Sequence, residues 1–276
     1  MRNDYLSFKY RPFKFYLIVF LVSFAAIAIS VYCSYNQSLS FYKYLFIFAA
    51  VLTPAAVAMF MIFGSGNDLM KNDFINRLAN LKLINWKSLL FVLLLAPLTV
   101  LLATAISLLF AQPARQLELS PGFSMAGWGA AFVLIAAILA PTFEELGWRG
   151  YGVDSLAKKG RSLLVTTLIF AAIWDVWHWP LFLVQGYYHS EIWQQGIAYG
   201  LNFIVSIFPI AFLHNWIYWR NGRSIPIVIL FHAMNNIAMS LLQTEQFTKC
   251  IITVIWLLAA AVVLIKDRAL WLNKAD

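Results

Sequence analysis

Glu144-Glu145-Leu146-Gly147-Trp148-Arg149 places two adjacent carboxylates at the end of an apolar stretch that runs from about residue 123 to residue 147. A charge at the centre of a bilayer costs roughly 2.5 to 3.5 kcal/mol on insertion scales, and ionisable residues inside a membrane face the bundle interior and mark proton, ion or reaction chemistry. Everything else in the chain bears on whether that stretch lies in a membrane. The 276 residues are 62% hydrophobic, 17% aromatic and 12% charged, with a mean hydropathy of +0.75. Those values exclude a soluble globular domain. A hydrocarbon core of about 30 Å needs about 20 apolar residues per helix. About eight runs meet that length, at 13–34, 41–64, 88–111, 123–147, 163–185, 196–218, 224–242 and 251–265. The fold class expected is an all-α polytopic membrane protein with about eight transmembrane helices.

The formal charge of +8 does not point to nucleic acid, because the basic residues sit in alternate connections. Arg2, Lys9, Arg11 and Lys14 precede the first run, and Lys71, Arg77, Lys82 and Lys87 follow the second. Arg149, Lys158, Lys159 and Arg161 follow the fourth, Arg220 and Arg223 the sixth, and Lys266, Arg268 and Lys274 the last. The intervening connections carry only Lys43, Arg115 and Lys249. The positive-inside rule then puts both termini and the basic loops in the cytoplasm, in agreement with an even number of spans. The first run, although it contains Ala26-Ile27-Ala28, is too long for a signal-peptide core and reads as an uncleaved anchor. Cys33 and Cys250 lie near the outer ends of the first and last runs. Two cysteines make no disulfide framework, so whether they pair is open. No linker or low-complexity tract divides the chain. The expectation is one integral domain over 1–276, with N-terminal helices over 1–122, a core over 123–243 and a C-terminal helix over 244–276.

Three constellations could carry chemistry. On a helix Glu145 and Arg149 share a face, while Glu144 points about 100° away, so the two acids do different jobs. A solvated cytoplasmic helix end paired to Arg149 is the plain alternative. Continuation of the helix through 153–159 would instead put Glu144 about 20 Å from Lys158 along the axis, inside the membrane. In Trp174-Asp175-Val176-Trp177-His178-Trp179-Pro180 the Trp174 ring can pack over His178, and Asp175 can orient it. A histidine among tryptophans also suits an interfacial belt. In Phe231-His232-Ala233-Met234-Asn235-Asn236, His232 and Asn236 share a face, and a hydrogen bond between helices is the alternative reading there. His189 and His214 lack such company and read as loop and interface residues. If the three sites meet, a carboxylate can take a proton from water while imidazole and amide groups stabilise an oxyanion. Glu144, His178 and His232 would also be a sufficient ligand set for Zn²⁺. No His-Glu-x-x-His is present, so a conventional zincin motif is absent.

Glu-Glu-x-x-x-Arg, then aromatic-x-x-x-His, then His-x-x-x-Asn on successive helices resembles the CAAX-protease and bacteriocin-processing family of intramembrane endopeptidases, also called the Abi family. Glu144-Glu145 with Arg149, Trp174 with His178, and His232 with Asn236 fill these motifs in order. The resemblance is specific over about 123–243 and weak over the first 120 residues. It implies that Glu144 activates water, that His178 assists in positioning it, and that His232 and Asn236 stabilise the oxyanion. Glu145 and Arg149 would support the site. Trp174 stands where Phe is common, and Asp175 adds an acid the motif does not require. The resemblance implies hydrolysis of a peptide bond in a membrane-associated or hydrophobic substrate that enters from the cytoplasmic side. The short, loop-poor chain points to a bacterial plasma membrane, and the charge pattern to no nucleic-acid partner. Eukaryotic members process prenylated C-termini, and bacterial members are associated with peptide maturation and bacteriocin self-immunity. A non-catalytic immunity or scaffold protein of the same fold and a proton-coupled transporter are the other readings. Against the transporter stands the lack of a duplicated pair of broken helices.

Overall fold

The computed structural model describes residues 9–123 and 129–273. Among them the regular elements are helices, and Leu119 and Leu242 form an isolated antiparallel bridge. Arg2 and Lys274, two of the charges used above to orient the chain, lie outside the described residues, as does 124–128 at the start of the fourth expected span.

The helices are α1 (Pro12–Ser34), α2 (Lys43–Phe63), α3 (Asp68–Ala79), α4 (Trp86–Leu108), α5 (Gly129–Gly147), α6 (Val153–Ala157) and α7 (Leu163–His178). They continue with α8 (Tyr188–Gln195), α9 (Ile197–Arg220), α10 (Ile225–Leu241), α11 (Gln246–Lys266) and α12 (Arg268–Leu272). Seven helical stretches are long and apolar enough to cross a membrane: Pro12–Ser34, Ser40–Phe63, Trp86–Leu108, Gly129–Ala157, Leu163–Leu183, Ile197–Arg220 and Gln246–Lys266. The chain is an all-α polytopic membrane protein. The run expected at 224–242 forms α10, apolar but only 17 residues long. It packs against α4, α5 and α9, so neighbouring helices rather than lipid cover much of its surface.

Prolines and glycines in the apolar runs shape the places where helices meet. Pro54 inside α2 has no N–H to give to the Ala50 carbonyl, and Ser23 of α1 donates its hydroxyl to that carbonyl at 3.2 Å. On the other side of Pro54, a Cβ on Gly147 would overlap the Pro54 backbone, so glycine is what lets α5 cross α2 this closely. Past Gly147 the helix widens into a π-helical turn, Trp148–Gly152, and runs on as α6. Glu144 is therefore well inside a continuous helix. At the end of α7, Pro180 enters a tight turn, Trp179–Leu183, and leaves His178 as the last residue of the α-helix. Cys33 and Cys250 are both free thiols.

The basic connections gather at one end of the bundle. Arg11 donates its backbone N–H to the Tyr151 hydroxyl at 2.9 Å. From α3, Arg77 donates to the Arg149 carbonyl at 2.8 Å and the Gly150 carbonyl at 3.1 Å. Arg223, between α9 and α10, makes a two-pronged contact with Asp73 at 3.0 and 2.9 Å, and Arg220 pairs with Asp267 next to α12.

Candidate active site

Glu144 and Glu145 project from α5 into different surroundings. Both oxygens of Glu145 take hydrogen bonds from Arg149 Nη1, at 3.0 and 2.8 Å, and neither side chain has any exposed surface. This is the four-residue spacing read from the sequence, completed by the π turn that carries Arg149. Arg149 also donates to Asn215 Oδ1 at 3.1 Å, whose amide in turn donates to Thr167 at 2.9 Å. The flat guanidinium lies over the Phe170 ring at 4.7 Å and the Trp174 ring at 5.5 Å, both favourable cation–π placements. The pair is wholly internal; the solvated helix end considered for it does not occur.

Glu144 faces the other way, into a cavity of about 490 Å³ whose lining includes His178, His232, Asn235 and Asn236. Its Oε2 accepts the Trp174 Nε1–H at 3.1 Å. His178 Nδ1 is 2.7 Å from the Trp174 carbonyl, and since a carbonyl only accepts, Nδ1 carries the proton and Nε2 keeps its lone pair. Trp174 thus holds both groups, the glutamate by its side chain and the histidine by its backbone. Its ring also packs on His178 as expected, with centroids 5.9 Å apart. His232 Nδ1 lies 2.9 Å from Glu145 Oε1, so the buried ion pair fixes the orientation of a second histidine that reaches the cavity.

Asp175 does not orient His178. Its Oδ2 accepts the Trp179 Nε1–H at 3.1 Å, and the Trp174 carbonyl takes the role expected of it. Asp175, Glu145 and Arg149 are absent from the described cavity lining.

Two histidines set aside in the sequence belong to this region. His214 of α9 is fully buried, its ring 5.2 Å from that of His232 and 5.6 Å from that of Trp174. Its signal was the polar pair His214-Asn215 inside an otherwise apolar run, the same kind of feature that singled out His232 and Asn236. His189 of α8 is buried rather than in a loop, lies parallel to His178 with centroids 5.9 Å apart, and lines the cavity.

The metal set considered above is not the one the fold assembles. Among the described residues, the acid and imidazole donors that come within 4.8 Å of one another belong to Glu145, His214 and His232. Glu144 and His178 are not in that group. The Glu145 carboxylate already takes Arg149 through both oxygens, so a divalent cation there would be set against a guanidinium. The donor set fits an internal ion pair better than a metal.

An acid, imidazoles and an amide thus line one cavity in a bundle of apolar helices, an arrangement that suits hydrolysis within a membrane. Residues 126–238, which contain every motif residue named above, match the model of the Rce1-like type II CAAX prenyl endopeptidases. Over 268 residues the chain is 38% identical to CAAX prenyl protease 2 of Methanococcus maripaludis, across 97% of this chain and 98% of that protein. The chain belongs to this family of membrane endopeptidases. The likeness also extends over the N-terminal helices, where the sequence motifs do not reach.

Proposed function

We propose that this protein is an intramembrane endopeptidase in which Glu144 is the general base. The observation that carries the reading is that Glu144, His178, His232 and Asn236, from three helices, line one cavity while Glu145 is locked behind it by Arg149. Trp174 holds one oxygen of Glu144 and leaves the other to receive a proton from water. His178, protonated at Nδ1, accepts from that water through Nε2 and aims it. The hydroxide attacks the peptide carbonyl carbon, and the resulting oxyanion is stabilised by the Asn236 amide, which donates as it stands, and by His232 in its doubly protonated form, which donates from Nε2 while Glu145 holds the Nδ1–H. As the C–N bond breaks, the proton on Glu144 passes to the leaving nitrogen. Glu145 and Arg149 keep His232 in place and touch no substrate.

The substrate class follows the family: a membrane-associated peptide with an apolar, prenylated C-terminal segment. Apolar walls such as Ala136, Ala140, Ile207 and Met239 support that reading. Purified protein in liposomes is expected to cleave a farnesylated peptide, and Glu144→Gln to lower the rate by about 10² to 10⁴ without a change in folding. Activity should persist under a strong chelator. Equal rates in wild type and Glu144→Gln reject the general-base role, loss of activity on chelation with recovery on added Zn²⁺ rejects the metal-independent mechanism, and proton-driven uptake without cleavage would favour a transporter.

A further inference from the structure

We infer that Lys249 binds the free C-terminal carboxylate of the substrate, an inference that rests on the proteolytic reading above. The cavity has two chemically different ends. Glu144, His178 and His232 stand at one, and Ser240, Gln246 and Lys249 at the other. Among the described residues of the lining, Lys249 is the only lysine or arginine. Its described side-chain partners are neutral: the ammonium donates to the Tyr188 hydroxyl at 3.2 Å and stands 4.7 Å from the centre of that ring. The other cations at this end of the bundle are engaged elsewhere. Arg115 pairs with Glu245 at 2.9 Å, and Lys43 donates to the Gln185 carbonyl at 2.9 Å. Lys249 therefore stands half-exposed at the edge of a mostly apolar chamber with no carboxylate among its described partners, and an anionic group of a substrate lying in the chamber would pair with it.

The spacing selects which anion. On α10 the lining residues His232 and Ser240 are eight positions apart, about 12 Å of helix rise. Lys249 is one turn into α11, which starts at Gln246 at that same end, so it lies roughly 10 Å along the bundle from His232. Three residues of extended peptide span about 10 Å. A C-a-a-X terminus carries three residues beyond its modified cysteine. With the bond after that cysteine at Glu144, the terminal carboxylate reaches Lys249 and the two aliphatic side chains lie against the alanine-lined wall of α5.

Two farnesylated peptides of one sequence test this, one ending in a free acid and one in a C-terminal amide, with the full chain in liposomes. The wild type should show a kcat/KM about tenfold or more higher for the free acid, the size expected of one charge-assisted hydrogen bond. Lys249→Gln should bring the ratio of the two peptides near one with an unchanged unfolding midpoint, and Lys249→Arg should keep the preference. Equal rates on both peptides in the wild type, or an intact preference in Lys249→Gln, overturn the subsite and leave the proteolytic reading standing. Cleavage of neither peptide by the wild type overturns both.

Discussion

Two neighbouring glutamates differ because about 100° of helix rotation separates them. Glu145 is half of a buried ion pair that has given up its hydration, and in such a pair the loss of one partner leaves the other charge uncompensated. Glu145→Gln and Arg149→Met should each lower stability by about 3 to 5 kcal/mol, whereas the double variant should recover much of the loss. Unfolding midpoints in detergent measure this, and losses that simply add would mean the pair is not coupled. Sequence spacing was enough to find Glu145 with Arg149 and Trp174 with His178, because each pair lies within one helical turn. The contacts that make a site of them were not legible. Trp174 to Glu144 spans 30 positions and His232 to Glu145 spans 87, and both depend on how helices pack. Asp175 shows the limit from the other side: His178 and Trp179 both lie about one turn from it, and its carboxylate took Trp179 rather than His178.

At the level of elements, the π turn Trp148–Gly152 decides where Arg149 points. Widening a helix disturbs its carbonyl pairing. Arg77 from α3 covers the Arg149 and Gly150 carbonyls, and Tyr218 of α9 donates to the first of them at 3.0 Å. Nothing local in the sequence revealed that a guanidinium 72 positions away would hold this turn. Arg77 is itself held by Asp73 at 2.7 Å. Asp73 also binds Arg223, whose left-handed φ of 67° is unfavourable for a non-glycine residue and is sustained by these contacts. Burial pushes the Asp73 carboxyl up, but the charges of Arg77 and Arg223 outweigh this and hold it below its ordinary value of 3.8. Above that value Asp73 is ionised whether the chain is folded or unfolded, and its contribution is complete. As pH falls past it, the unfolded chain takes up the proton first, and the contribution fades. The unfolding midpoint should therefore drop between about pH 5 and pH 3, and less steeply in Asp73→Asn. Matching slopes in the two proteins would remove Asp73 as the source.

For the whole molecule, two expectations from the sequence pull apart. The apolar spans were legible because each run announces itself by length, and only α10, sheltered by other helices, falls short; the short helices α3, α6, α8 and α12 carry no such signal. The charge pattern puts the basic loops in the cytoplasm, and the family resemblance lets substrate in from that side. Yet the cavity runs from Glu144 past Ala140, Ala136 and Val133 toward the start of α5, and past Met239 and Ser240 toward the end of α10. Those ends lie opposite the cluster formed by Arg77, Arg149 and Arg223. With the basic end inside, the cavity is reached from the outer leaflet or the outer face. Single cysteines at exposed Glu118, on the cavity side, and exposed Lys159, on the basic side, decide the matter in a background lacking Cys33 and Cys250. A maleimide that cannot cross membranes should label Glu118→Cys in intact cells and Lys159→Cys only in inverted vesicles. The reverse pattern would open the cavity to the cytoplasm, in keeping with a cytoplasmic substrate, and would make this chain an exception to the charge rule.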